Sequence, residues 1–186
     1  MARRRNRAGV FESAPGGGAA ITLDEVEISI LRSLAVQLLE LVGPGDAAGA
    51  DDDPLAQLFA EGPSKPPDDP ALARLFPDAY EDSEDASEFR RFTENDLRAR
   101  KREDALSMIR VLDSGGPRLT LTPEDSRHWL GALNDLRLTL GTRLEVSDDE
   151  GSELFHLPDS DPRKPLVMAY LWLGGLQETL VETLMG

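Results

Sequence analysis

The sequence contains no cysteine. That absence removes disulfides, thiolate metal sites, cysteine nucleophiles and thiol redox sensing. Histidine is nearly absent as well. His128 and His156 are the two present, and neither stands at a metal-ligand spacing or near a Gly-x-Ser-x-Gly elbow, so both are read as surface or hydrogen-bonded structural residues. Long apolar runs are missing too. The longest, Leu166 to Leu176, falls short of the roughly 20 residues needed to cross a bilayer. Arg3, Arg4, Arg5 and Arg7 are followed by Gly and Pro instead of the apolar core of a signal peptide. No export signal is read there, and a cytoplasmic location with no membrane partner is expected.

Acid is what the sequence has in excess, with a formal net charge of −15. The excess is uneven: from Glu40 to Asp85 there are 13 acids against 2 bases, whereas from Ala86 to Arg118 there are 8 bases against 6 acids. Phosphate binding needs concentrated positive surface, so non-specific nucleic-acid binding is disfavoured for the chain as a whole, and a local patch is left in the second stretch. Asp51-Asp52-Asp53 and Asp148-Asp149-Glu150 lack the alternating ligand order of a calcium loop and are read as solvated acids. No metal ligand set, cofactor site or catalytic group is assigned. The 13 prolines and 16 glycines imply irregular segments. The division expected is a basic, Gly-rich stretch over 1–20 and one helical domain over 21–186, carrying an acidic, Pro-rich insertion at about 44–87.

Local patterns fill in the elements. Val10 to Glu12 and Ala19 to Ile21 flank Ser13-Ala14-Pro15-Gly16-Gly17-Gly18 as a short hairpin would. Thr22 with Glu25 reads as a capping box opening a helix whose apolar stripe, Ile30, Leu31, Leu34, Leu38 and Leu41, stops at Gly43-Pro44-Gly45. Two similar units, Asp53 to Phe59 and Asp69 to Phe76, place Asp as N-cap before Pro and predict short helices docked by a Leu-Phe edge. A long helix is predicted from about Ser87 to Asp113, stopped by Ser114-Gly115-Gly116-Pro117. Its apolar face would carry Phe89, Phe92, Ala99 and Leu106. Arg90, Arg91, Arg98, Lys101 and Arg102 would lie opposite, as a solvated face or a partner surface. Arg118 to Leu121 alternates like a strand, and Thr122-Pro123-Glu124-Asp125, where Asp125 repeats the Thr22 capping pattern in weaker form, opens a helix burying Trp129, Leu133, Leu136 and Leu140. Leu144 to Val146 and Leu154 to Leu157 could pair as a second hairpin. Asp161-Pro162 or Lys164-Pro165 opens a final helix to about Leu184, and its Gly174-Gly175 pair is expected to admit a close neighbour. The fold class is therefore mainly α: three or four long amphipathic helices, short accessory helices and one or two small β-hairpins.

With these segments in place, the chain resembles a widespread actinobacterial family catalogued as a domain of unknown function. The residues carrying the likeness are Asp69 to Tyr80, Glu88 to Glu94 with Leu97-Arg98, Trp129-Leu130 with Leu133 to Leu138, Leu140 to Leu144, and Trp172-Leu173 with Leu176-Gln177-Glu178. They span nearly the whole sequence. The resemblance implies a mostly helical fold and, through some members, a role in oxidative-stress transcriptional regulation that relies on cysteines. This chain departs from that chemistry, so what carries over is a regulatory role by protein interaction.

One anomaly crosses these helices. Glu27 falls between Leu34 and Leu38 in angular position, Arg137 between Leu133 and Leu130, and Gln177 between Leu166 and Tyr170, with Asn134 bordering the face of Arg137. Glu27, Asn134, Arg137 and Gln177 are thus expected to meet as a buried polar cluster, with Glu27 paired to Arg137. The favoured function is regulation through contacts with another protein. DNA binding by the basic face of the helix over 87–113 comes second, and an enzyme using the polar cluster third.

Overall fold

The computed structural model describes residues 9–44, 62–147 and 153–186. The arginine run from Arg3 to Arg7, the Asp53 to Phe59 unit and both acidic triplets lie outside the described residues. Within them the protein is mainly α, with four long helices, one short helix and a small antiparallel sheet.

Three strands form the sheet. β1 (Glu12–Ser13) and β2 (Ala19–Thr22) are the predicted hairpin, with Glu12 opposite Ala20. β3 (Arg118–Leu121) pairs antiparallel with β2, Ala20 opposite Thr120. The alternation in β3 explains its seat: Leu119 and Leu121 point into the core while Arg118 and Thr120 face out. Just before β1, Phe11 meets the Trp129 ring edge-on at 5.9 Å. This N-terminal ribbon is thereby fastened to the helical layer.

α1 (Glu25–Val42) starts later than the expected Thr22 cap. Thr22 is taken up in the ladder opposite Arg118, so the capping box moves to Asp24 and Glu27. The Glu27 amide donates to Asp24 Oδ1 and the Asp24 amide to Glu27 Oε2, each at 2.8 Å. α2 (Pro70–Leu75) follows the Asp-Pro rule, with Asp69 accepting from the Ala71 and Leu72 amides. α3 (Ser83–Asp113) begins at an Asp82 cap, a turn before the expected start. It ends where Gly115 and Gly116 take φ of +83° and +85°, left-handed values that glycine adopts without steric penalty.

α4 (Pro123–Arg143) opens with the expected Thr122 and Asp125 box and buries Trp129, Leu133, Leu136 and Leu140. α5 (Lys164–Met185) has Pro165 in its first turn, so the second of the two expected openings is used. α4 is the central element, packed against α2, α3 and α5, while α1 packs mainly on α3. The second expected hairpin does not form among the described residues. The Leu144 and Val146 amides are bound to Leu140 and Gly141 carbonyls at the end of α4, and Glu153–His156 is a 3-10 turn. Their apolar side chains still cluster, Leu144 and Leu154 packing with Val167 of α5. No helix among the described residues is long and apolar enough to cross a membrane.

Candidate functional site

The structure turns the first half of α3 over relative to the sequence expectation. Ala86, Arg90, Glu94 and Arg98, spaced by four, are buried, whereas Phe89 and Phe92 are 44% and 63% exposed and Ala99 is also exposed. Leu106, further along, is half-buried. The reason lies in what the charges find inside. Arg90 donates to Glu94 Oε2 at 2.6 Å, to Asp78 at 2.8 Å and to the Phe76 carbonyl at 3.0 Å. Glu94 Oε1 accepts from Arg98 at 2.6 Å, and Arg98 also donates to the Val42 carbonyl. The Arg98 guanidinium lies 4.4 Å from the Phe76 ring centroid, a cation–π stack that shields a buried charge. Burial works to lower the Arg90 pKa, but its hydrogen bonds to Asp78 and Glu94 outweigh that and raise it, so it stays charged.

The candidate partner surface is corrected accordingly. Arg90 and Arg98 are interior residues, Lys101 is tied to the buried Asp135 carboxylate at 2.7 Å, and Arg91 and Arg102 are half-buried. The signal for this inversion was present: Glu94 stands midway between Arg90 and Arg98 at four-residue spacing. That pattern lets one carboxylate neutralise two cations along one stripe.

The expected four-residue polar cluster is only partly assembled. Arg137 Nη1 donates to Gln177 Oε1 at 2.8 Å, and the guanidinium lies beside Gly174 and 5.5 Å from the Tyr170 centroid. Tyr170, Gly174 and Gln177 thus present one face of α5 to a single arginine. Glu27 is instead bound to the Asp24 amide at the start of α1, because the cap needs a carboxylate there. Asn134 is exposed and turns to its neighbour Asp135. Gly174 therefore seats Arg137, and Gly175 has nothing near the place a Cβ would occupy.

A second polar seam joins α3 to α4. His128 Nδ1 lies 2.8 Å from Asp104 Oδ1, and Ser107 donates to Asp125 at 3.1 Å. Gly131 makes the first pair fit, since a Cβ there would overlap the Asp104 carboxylate. Burial raises the pKa of both Asp104 and Asp135 above the ordinary carboxylate value, against the pull of His128 and Lys101 respectively. These partners hold two helices together, and no cluster of three or more metal-ligating residues occurs among the described residues.

The outward face of α3 is left with its aromatics. Tyr80 and Phe89 stack edge-on at 5.6 Å, and with Phe92, Asp85 and Glu88 they line a shallow hollow of about 430 Å³. Arg91 lies over the Phe92 ring at 5.7 Å from its centroid.

Comparison with known proteins places this chain in a family. The chain is 34% identical over 176 residues to the oxidative stress regulator AosR of Mycobacterium bovis, covering 86% of this chain and 79% of the relative. The same identity and coverage hold for the oxidative stress regulator AosR of Mycobacterium tuberculosis. No solved structure matches. The family model described as a domain of unknown function, DUF2017, matches residues 5–184. The chain belongs to that family.

Proposed function

We propose that this protein is a regulator that acts by contacting another protein, without thiol chemistry and without catalysis of its own. The relatives named oxidative stress regulators support the regulatory part. The observation that carries the contact mechanism is the inversion of α3, which commits Arg90 and Arg98 to the interior and leaves Tyr80, Phe89 and Phe92 in solvent. Large aromatics are enriched at protein–protein interfaces relative to the rest of a protein's surface. DNA binding along α3 is correspondingly disfavoured, because three of its five expected phosphate ligands are engaged: Arg90 and Arg98 by Glu94, Asp78 and the Phe76 and Val42 carbonyls, and Lys101 by Asp135. A cysteine-free sequence cannot sense an oxidant through a thiol, so an oxidative-stress role that depends on a thiol would be served by a partner's chemistry.

Two measurements test this reading. A photo-crosslinking residue placed at Phe92 of the intact chain should trap a protein from a cell extract, whereas the same residue at Glu182 on α5 should not. Titration against labelled duplex DNA should give no complex near physiological salt. A salt-sensitive DNA complex lost on charge reversal of Arg91 and Arg102 would replace protein contact with nucleic-acid binding.

A further inference from the structure

The hollow on the outer face of α3 also specifies the chemistry of what docks there. This inference rests on the protein-contact reading above and goes one step past it. Three exposed rings, Tyr80 at 52%, Phe89 at 44% and Phe92 at 63%, surround it. Acids surround the rings. Between Asp78 and Glu88 the sequence has six acids and no base. Asp78 is used by Arg90 and Asp82 by the helix cap, but Glu81, Glu84, Asp85 and Glu88 stand in solvent, and Asp85 and Glu88 line the hollow itself.

We infer that this patch is a docking site for a cationic polypeptide segment that brings arginine or lysine together with an apolar side chain. Aromatic rings offer negative faces to a cation, and carboxylates beside them add a charge-assisted hydrogen bond, so a guanidinium satisfies both at once. The chain already shows the first half of this in Arg91 over Phe92. The same charges select against other occupants. A nucleic-acid backbone or an anionic lipid surface would face four carboxylates, and an acidic peptide would meet like charge. A neutral apolar segment would leave those carboxylates desolvated without a partner.

The test uses the intact chain and short fluorescent probe peptides, read by anisotropy. One peptide is amphipathic, with arginines beside leucines; a second has glutamate for each arginine; a third has serine for each leucine. The first should bind, and the second should not. The third should bind at least about tenfold more weakly, because the apolar anchor is lost. Phe92→Ala and Glu88→Lys should each weaken the first peptide by about tenfold or more, a loss typical of an interface hot spot. Glu178→Lys on α5 changes net charge equally at another exposed site and should leave binding within about twofold, since distant exposed charges are screened. All three positions are exposed, so circular dichroism should stay unchanged.

Equal loss from Glu88→Lys and Glu178→Lys would reduce the effect to attraction by bulk charge and overturn the site. So would equal binding of the first two peptides, or none by the first. Sedimentation showing a dimer of the chain abolished by Phe92→Ala would assign the face to a second copy instead. A crosslinked protein at Phe92 together with failed peptide binding would leave the protein-contact reading standing and remove only the cationic specificity.

Discussion

Glu94 is the hinge of the interior charge ladder, because its two carboxylate oxygens serve two different arginines. Its side chain is 2% exposed, and those of Arg90 and Arg98 are 4% and 8% exposed. Removing it strands two buried cations, so Glu94→Leu should destabilise the protein by about 3–5 kcal/mol in urea unfolding, whereas replacing Arg90, Glu94 and Arg98 together by apolar residues should be milder. Equal losses from the single and triple changes would show that the ladder is not coupled. Phe76, buried beneath Arg98, should cost about 3–5 kcal/mol on change to alanine in the same urea unfolding, from lost apolar burial together with the cavity left behind. Asp104 gives a pH test. Its folded pKa is raised by burial above 3.8, so the folded state holds the proton more strongly than the unfolded chain. Its contribution to stability therefore falls as pH rises from the unfolded value through the folded one. Asp104→Asn should accordingly gain stability relative to the parent across that window, measured by urea midpoints at a series of pH values. A relative stability that is flat or falls with pH would contradict the assigned direction.

At the scale of elements, the glycines of α4 and α5 separate two roles that look alike in sequence. Gly131 gives way to the Asp104 carboxylate, and Gly131→Ala should displace the Asp104–His128 pair and lower the thermal midpoint. Gly175 faces open space, so Gly175→Ala should stabilise α5 by up to about 1 kcal/mol through helix propensity. A loss there would mean that something packs against α5 in solution. The helix stops, the Asp-Pro start of α2 and the Thr122 box were all readable because each depends on residues within one turn of one another. The expected Thr22 box does not form, for the opposite reason. Whether Thr22 caps a helix or joins a sheet depends on β3, almost a hundred residues away in the chain, and no local pattern records that pairing.

For the molecule as a whole, α4 is the common partner of α2, α3 and α5, and the sheet is bound to it through Phe11 and Trp129. Unfolding should therefore be one cooperative event among the described elements, with Trp fluorescence and helical circular dichroism sharing a midpoint; separated transitions would mean the ribbon and the helices melt independently. The absence of thiol chemistry, the helical class, the helix stops and the start and apolar stripe of α4 follow from the sequence by itself, since they rest on composition and on spacing within single elements. Tertiary structure decided which face of α3 turns inward and which acid each arginine meets. Arg137 and Gln177 join across adjacent helices, but Glu27 is held at its own helix start. The physical reason is that burying a charge is unfavourable until a counter-charge is brought to it. Asp78, the Phe76 and Val42 carbonyls and the Phe76 ring reach α3 from other segments of the chain. Once they arrive, arginine becomes the interior residue and phenylalanine the exposed one.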